Sequence, residues 1–331
     1  MEKVFIGYDS AFEFYRNARA NMHVDIGGQE PSRNSLILKY SSAQPKEKDF
    51  KSSDVKFFDL PYCGDNKIDL CVKGIKPEYR LKNINLHCSN INYSYASFLK
   101  YAAGVYISSP QLLFLQLAQS NDFSKLMKMG LELCGTYSIN EYSPDGFISS
   151  LAPILDSKKL YTYLKRLQKQ HPRYPYISKA IEAAYFLAND IASPSEAELY
   201  IKLCAPRKYG GYALKGFSAN TNIKLSEKAA NMYGRSFIKP DLANVKTKIA
   251  IEYDSNAFHN NPNQNIFDKT RLDVFSYEGW KLFSFVPTHM RDTKSFDYLA
   301  TKILYANKQE SRIRSAAFSS KRRELWMSLV K

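Results

Sequence analysis

Between Phe237 and Asp254 apolar and polar positions alternate with the period of two that marks β-strands. Phe237-Ile238 and Leu242-Ala243 flank Lys239-Pro240-Asp241. In the next segment Lys248, Ala250, Glu252 and Asp254 share one face, and Ile249, Ile251 and Tyr253 the other. The pattern predicts two short strands in a hairpin, each ending in carboxylates. Helical spacing predicts a helix over Ala11–Met22, capped by Asp9-Ser10, with Phe12, Tyr15 and Ala18 on one face. Val55–Pro61, Asn83–Cys88 and Gly104–Ile107 read as strands, and the polar stretch 42–54 as an exposed loop. Ser109 is an N-cap, with Pro110 at the first position of a strongly apolar helix. Two helices follow between Ser157 and Asn189, broken at His171-Pro172-Arg173-Tyr174-Pro175. Gly210-Gly211 predicts a tight turn before a strand, Tyr212-Ala213-Leu214. Trp280–Val286 predicts a core strand with Trp280 in the packing. The chain then turns helical, with basic Lys321-Arg322-Arg323 and an apolar stripe of Leu325, Trp326 and Leu329. Such a tail packs back on the body or pairs with a second subunit.

With 331 residues, 44% of them hydrophobic, the chain is long enough for two globular domains. The 47 Lys and Arg against 32 Asp and Glu give a net charge of +15, which points to a polyanionic partner, most often nucleic acid. The five cysteines, Cys63, Cys71, Cys88, Cys134 and Cys204, form no CxxC pair. That excludes a structural zinc of the usual spacing and suits reduced thiols in a cytoplasmic protein. No signal-like segment and no run of 18 apolar residues is expected to export the chain or span a membrane.

Charge and pattern meet at the hairpin. Antiparallel pairing puts Asp241 beside Glu252, and two carboxylates that close repel unless a divalent cation sits between them. Mg2+, or Mn2+ in its place, is the expected cofactor, with Asp241 and Glu252 as ligands. The competing readings are a turn-forming Asp241 and a Glu252 salt-bridged to a nearby Lys or Arg. Asp254 lies two residues along the same strand face and could hold a second metal or orient water. His259 follows by a short loop and suits a general acid or base. Glu196 completes a capping box, Ser193-Pro194-Ser195-Glu196, and is also the candidate acidic residue of the site, with Glu198 its rival. Asp268 and Arg271 share a helix face, as an ion pair or with the arginine on a phosphate. Arg207, Lys208 and Lys215 are candidate phosphate-backbone contacts.

These parts, in order, resemble the PD-(D/E)XK nuclease superfamily, in particular its very-short-patch-repair-like branch. The resemblance rests on Glu196, Pro240-Asp241, Glu252-Tyr253-Asp254, His259, Asp268-Lys269-Thr270-Arg271 and Gly279-Trp280, over roughly residues 193–290. Asp254 stands where the wider superfamily has a lysine, as in the repair-type branch. The resemblance implies an α/β fold, a mixed sheet flanked by helices, and metal-dependent phosphodiester hydrolysis, most readily of DNA. It implies catalytic roles for Glu196, Asp241, Glu252, Asp254 and His259. Separately, Val105–Ala118 resembles a helix segment of abortive-infection antitoxin-like proteins, which suggests a phage-defence or mobile-element setting.

The expected organisation is an N-terminal α+β module over 1–150, nucleic-acid-binding, regulatory or a site of homodimer or partner contact. A helical connector over 151–192 and a nuclease-like domain with a basic helical tail over 193–331 follow. The alternative is a non-catalytic DNA-binding regulator or antitoxin with a degenerate nuclease fold.

Overall fold

The computed structural model describes residues 3–27, 35–45, 67–74, 83–93, 96–255, 262–310 and 316–329, the side chains of 262–268 and 316 excepted. The chain divides into two units, Met1–Leu187 and Ala188–Lys331.

The first unit is built on a mixed sheet of β1 (Val4–Ile6), β2 (His23–Ile26), β3 (Ser35–Ser41), β4 (Ile68–Lys73), β5 (Ile84–Ser89), β6 (Phe98–Ala102) and β7 (Val105–Ser108). Their order is β2-β3-β6-β7-β1-β4-β5. Interior β1 pairs in parallel with β7 and antiparallel with β4, and all three of its residues are buried. Helices α1 (Tyr8–Asn21), α2 (Pro110–Ser120), α3 (Phe123–Cys134), α4 (Ser157–Gln170) and α5 (Ile177–Tyr185) complete the unit, with a small ribbon of β8 (Ser138–Ile139) and β9 (Phe147–Ile148).

Phe12, Tyr15 and Ala18 are buried as the spacing predicts, but α1 begins at Tyr8 rather than after Ser10. The Ser10 N–H is met instead by Asp69 at 3.2 Å, so a long-range carboxylate replaces the expected local cap. Ser109 does cap α2, accepting from the Leu112 N–H at 3.4 Å. The segment expected to be a connector supplies α4 and α5, which pack on α2 within the first unit. Their stripes of Leu160, Leu164 and Leu167, and of Ile177, Ala180 and Ala183, need that cover. The predicted strand Val55–Pro61 lies outside the described residues.

In the second unit α6 (Pro194–Cys204) leads to a sheet of β10 (Ser218–Ala219), β13 (Leu242–Asn244), β14 (Ile249–Tyr253) and β15 (Lys281–Phe285). The first three pair antiparallel, and β15 lies parallel to β14 after a crossover through α8 (Pro262–Tyr277). Between β10 and β13 are inserted β11 (Ile223–Lys224), α7 (Glu227–Tyr233) and β12 (Phe237–Ile238). The unit closes with α9 (Pro287–Arg291), α10 (Thr293–Ala306) and α11 (Ala316–Leu329). Ile249, Ala250 and Ile251 are all buried, so the strand is not amphipathic as its alternation suggested. A central strand flanked by others and covered on both faces buries consecutive residues. Ala243 and Ala250 share a core with Ala229, Val274, Phe275 and Trp280, and α6 also packs against β14.

Tyr212-Ala213-Leu214 is not a strand. Its N–H groups donate to the carbonyls of Lys202, Ala205 and Leu203 at 2.9–3.1 Å, meeting the orphan acceptors at the C-terminal end of α6. The two glycines permit this return. A Cβ on Gly211 would lie 2.2 Å from the Ala205 oxygen, and one on Gly210, at φ +92°, 2.4 Å from the Lys321 oxygen of α11. Of the two fates open to the tail, packing on the body is the one seen. Trp326 sits 3.6 Å from the Lys202 ammonium, and Arg322 pairs with Asp297. Lys202 is fully buried; it donates to the Met290 carbonyl at 2.7 Å and pairs with Glu198 at 2.6 Å.

Gly210→Ala therefore combines backbone strain with a backbone clash. Destabilisation of about 2–3 kcal/mol, with earlier proteolysis of α11, is the expected outcome in thermal melts and limited digestion. An unchanged melting temperature would show that α11 does not lean on this turn.

Candidate active site

The pairing of β13 with β14 runs Leu242↔Ile251, Ala243↔Ala250 and Asn244↔Ile249. Continued by one residue, the register sets Asp241 opposite Glu252, and residues opposite each other share a sheet face. Pro240 has no N–H to extend the ladder. The Tyr253 N–H is met by a side chain, donating to Asp241 Oδ2 at 2.7 Å. On the other side, the Asp241 carbonyl accepts the Asn220 N–H at 2.8 Å, just past β10. Asn220 has a φ of +48°, a left-handed conformation that Asn tolerates better than most residues.

Asn220 links two acidic groups. Its Nδ2 donates to Glu196 Oε2 at 2.8 Å. Half of the predicted capping box is present: the Glu196 N–H donates to Ser193 Oγ at 3.2 Å, but the carboxylate reaches past the Ser193 backbone and accepts from the Ala192 N–H at 2.9 Å and the Ser193 hydroxyl at 3.1 Å. The cap and the site are thus one arrangement, with both Glu196 oxygens occupied. The rival Glu198 is turned to Lys202 instead.

The electrostatic result falls on Asp241. Burial raises its carboxyl most, and the charge of Glu196 adds to this; Glu252 raises it further, while the Tyr253 N–H and Arg271 act the other way. The carboxyl is pushed up to about 7. Glu252 has its own counter-ion. Its Oε1 accepts from Arg271 Nε at 2.8 Å and from Nη2. The guanidinium also donates to the Tyr233 hydroxyl at 2.9 Å and the Lys239 carbonyl at 2.8 Å. Arg271 thus serves Glu252 and the neighbouring backbone rather than standing open to a phosphate. The Asp268 side chain lies outside the described residues.

The remaining candidates are dispersed. Asp254 is exposed just past β14, its N–H donating to the Phe285 carbonyl at 2.8 Å. His259 lies outside the described residues. Arg207 and Lys208 sit in the turn after the C-terminal end of α6, one helix length of about 16 Å from Glu196. Arg207 donates to the Glu310 carbonyl, and the Lys208 ammonium lies over Tyr209. The Lys215 carbonyl accepts from Asn307 and Asn244, at the far end of β13 from Asp241. The structure does not gather these three basic residues at the carboxylates. Sequence reasoning missed Asn220, Tyr233 and the Lys239 carbonyl. None of the three carried a signal, because each meets its partner across 24–38 residues of sequence.

Among the described residues, no group of three or more His, Cys, Asp or Glu side chains is assembled as a metal-ligand set. Two carboxylates are nevertheless enough for Mg2+, which binds through one or two and keeps several waters. Asp241 Oδ1 and Glu252 Oε2 accept no hydrogen bond among the described residues. Their oxygen chemistry and the surplus of negative charge around Asp241 suit a hard divalent cation. No family model, curated protein or solved structure matches the chain.

The raised carboxyl has a consequence for stability. Its folded pKa lies above the unfolded one, so its stability contribution is complete below about pH 4 and is lost as pH rises to about 7. Asp241→Asn should therefore melt higher than wild type at pH 8, and the gap should shrink toward pH 4. A gap independent of pH would contradict this electrostatic account.

Proposed function

We propose that the second unit is a Mg2+-dependent nuclease that hydrolyses phosphodiester bonds, most readily in DNA. The observation that carries the proposal is Asp241 set opposite Glu252, with its carboxyl driven up by burial and by Glu196. A protein gains no stability from such a cluster, which suits a site built for a cation. The order of elements supports the resemblance to PD-(D/E)XK nucleases. Glu196 lies on the first helix, Asp241 at a strand start after proline, Glu252 on the next strand, and Arg271 on the crossover helix to β15.

Asp241 and Glu252 would hold the ion. Bound there, it would lower the pKa of a coordinated water and offset charge developing on the phosphate. The chain's own groups do the rest. The Tyr253 N–H orients Asp241, and Arg271 fixes Glu252 through two bonds to one oxygen. Glu196 keeps the field at Asp241 negative until a cation arrives. Asp254 or His259 would direct the attacking water. The unit carries 23 basic and 14 acidic residues, a net +9, which attracts the polyanion.

One observation favours a second reading. The Arg271 guanidinium already neutralises Glu252, as it would in a non-catalytic DNA-binding descendant of such a fold. Cleavage assays on plasmid, single-stranded DNA and RNA with Mg2+ or Mn2+ separate the two. Wild type should cleave, and Asp241→Asn should lose at least about 10³-fold in rate with binding nearly unchanged. His259→Ala should lose roughly 10²–10⁴-fold, as for a general acid or base. A wild-type chain that binds but never cleaves makes the non-catalytic reading the better one. Binding itself should weaken steeply between 50 and 200 mM salt through counter-ion release. A salt-independent affinity would contradict an electrostatic interface.

A further inference from the structure

The insertion between β10 and β13 is strongly basic. Residues 221–240 contain four basic residues, Lys224, Lys228, Arg235 and Lys239, against one acidic, Glu227. Within it β11 and β12 form a two-stranded ribbon in which Ile223 pairs with Ile238 and Lys224 with Phe237. Side chains alternate across such a ribbon. Ile223 and Ile238 are buried in the core of the unit. The opposite face carries Lys224 and Phe237, and Phe237 is 51% exposed. Lys239, two residues past Phe237, is exposed as well. Neither Lys224 nor Lys239 forms an ion pair among the described residues.

A single exposed aromatic needs no explanation. This one is flanked by two open cations and runs directly into Pro240-Asp241. The Lys239 carbonyl is held by Arg271, the same guanidinium that holds Glu252. The ribbon is thereby tied to the carboxylates. From Phe237 to Asp241 is four residues, at most about 13 Å of extended chain. That span is short enough for a single strand lying on the ribbon to reach the carboxylates.

We propose that this face receives an unpaired stretch of the nucleic-acid strand, with Phe237 stacked on a base and Lys224 and Lys239 on the flanking phosphates. An aromatic face can stack only on a base whose own face is open, as in single strands, frayed ends or extruded nucleotides. The Phe237 position inside a basic ribbon therefore selects unpaired substrate over intact duplex. That this strand is also the one cut rests on the nuclease reading above; the stacking itself does not.

Binding without divalent cation separates the two. Fluorescence anisotropy of the full chain in EDTA would use a 20-nucleotide single strand and its duplex. Phe237→Ala should weaken single-strand binding about tenfold, leave duplex binding within twofold and leave the salt slope unchanged. The Lys224→Gln, Lys239→Gln double variant should reduce the single-strand slope of log affinity against log salt by about 1.4, two phosphates at 0.7 each. Phe237→Trp should keep affinity and lose indole fluorescence on binding. Phe237→Ala that binds single strands like wild type, or that loses duplex and single strand equally, overturns the proposal, whatever the cleavage assay shows. A chain that binds through Phe237 and never cleaves keeps the ribbon and loses the nuclease.

Discussion

The burial of Asp241 at the start of β13, with the charge of Glu196 beside it and Glu252 opposite, is the constraint around which the second unit's candidate site is arranged. The register that pairs Leu242 with Ile251 leaves no freedom in where Asp241 and Glu252 meet. Pro240 offers no N–H at that point, and the Tyr253 N–H of β14 is accepted by the Asp241 side chain rather than by a backbone carbonyl. A fold optimised for stability alone would place neutral residues here. The surrounding groups limit the penalty without removing it: the Tyr253 N–H on Asp241, the cap bonds on Glu196, and the guanidinium on Glu252.

The Glu252–Arg271 pair fits this view. A half-buried ion pair is weak evidence of stabilisation, because desolvation offsets much of its Coulomb gain. Its value is positional. Arg271 reaches from α8 to Glu252 on β14, to Tyr233 of α7 and to the carbonyl of Lys239 beside the ribbon. One side chain therefore ties the crossover helix, the insertion and the acidic strand. It also leaves the second Glu252 oxygen clear of hydrogen bonds among the described residues. The load at Asp241 comes first from burial and then from Glu196, whose helix start is fixed by Ser193 and Asn220, with a smaller part from Glu252.

What was legible in the sequence was local or periodic. The caps at Ser109 and Ser193 depend on residues three apart and were readable directly. The hairpin carboxylates followed from a period of two plus a proline. The start of α1 was not legible, because Asp69, 59 residues away, supplies the bond that a cap would have made. Residues 212–214 looked like a strand, since apolar runs after glycine read alike whether they pair with a sheet or cap a helix. The partner of Arg271 lies 19 residues back on another element, and proximity in sequence pointed to Asp268 instead. The basic cluster at 207–215 was grouped with the site by charge alone. The direction of α6, for Arg207 and Lys208, and the bonds of the Lys215 carbonyl to Asn244 and Asn307 show that it lies away from the carboxylates. The helices of 151–192 read as a connector because nothing local reveals that α2 waits to cover their apolar stripes.

The central claim is that Asp241 and Glu252 form a cation site. Calorimetric titration of Mn2+ into the full chain at pH 8, with Asp241→Asn alongside, tests it most directly. The account predicts binding of about one ion per wild-type chain and at least a tenfold loss of affinity in the variant. No binding up to millimolar Mn2+, or equal binding by both proteins, would contradict it.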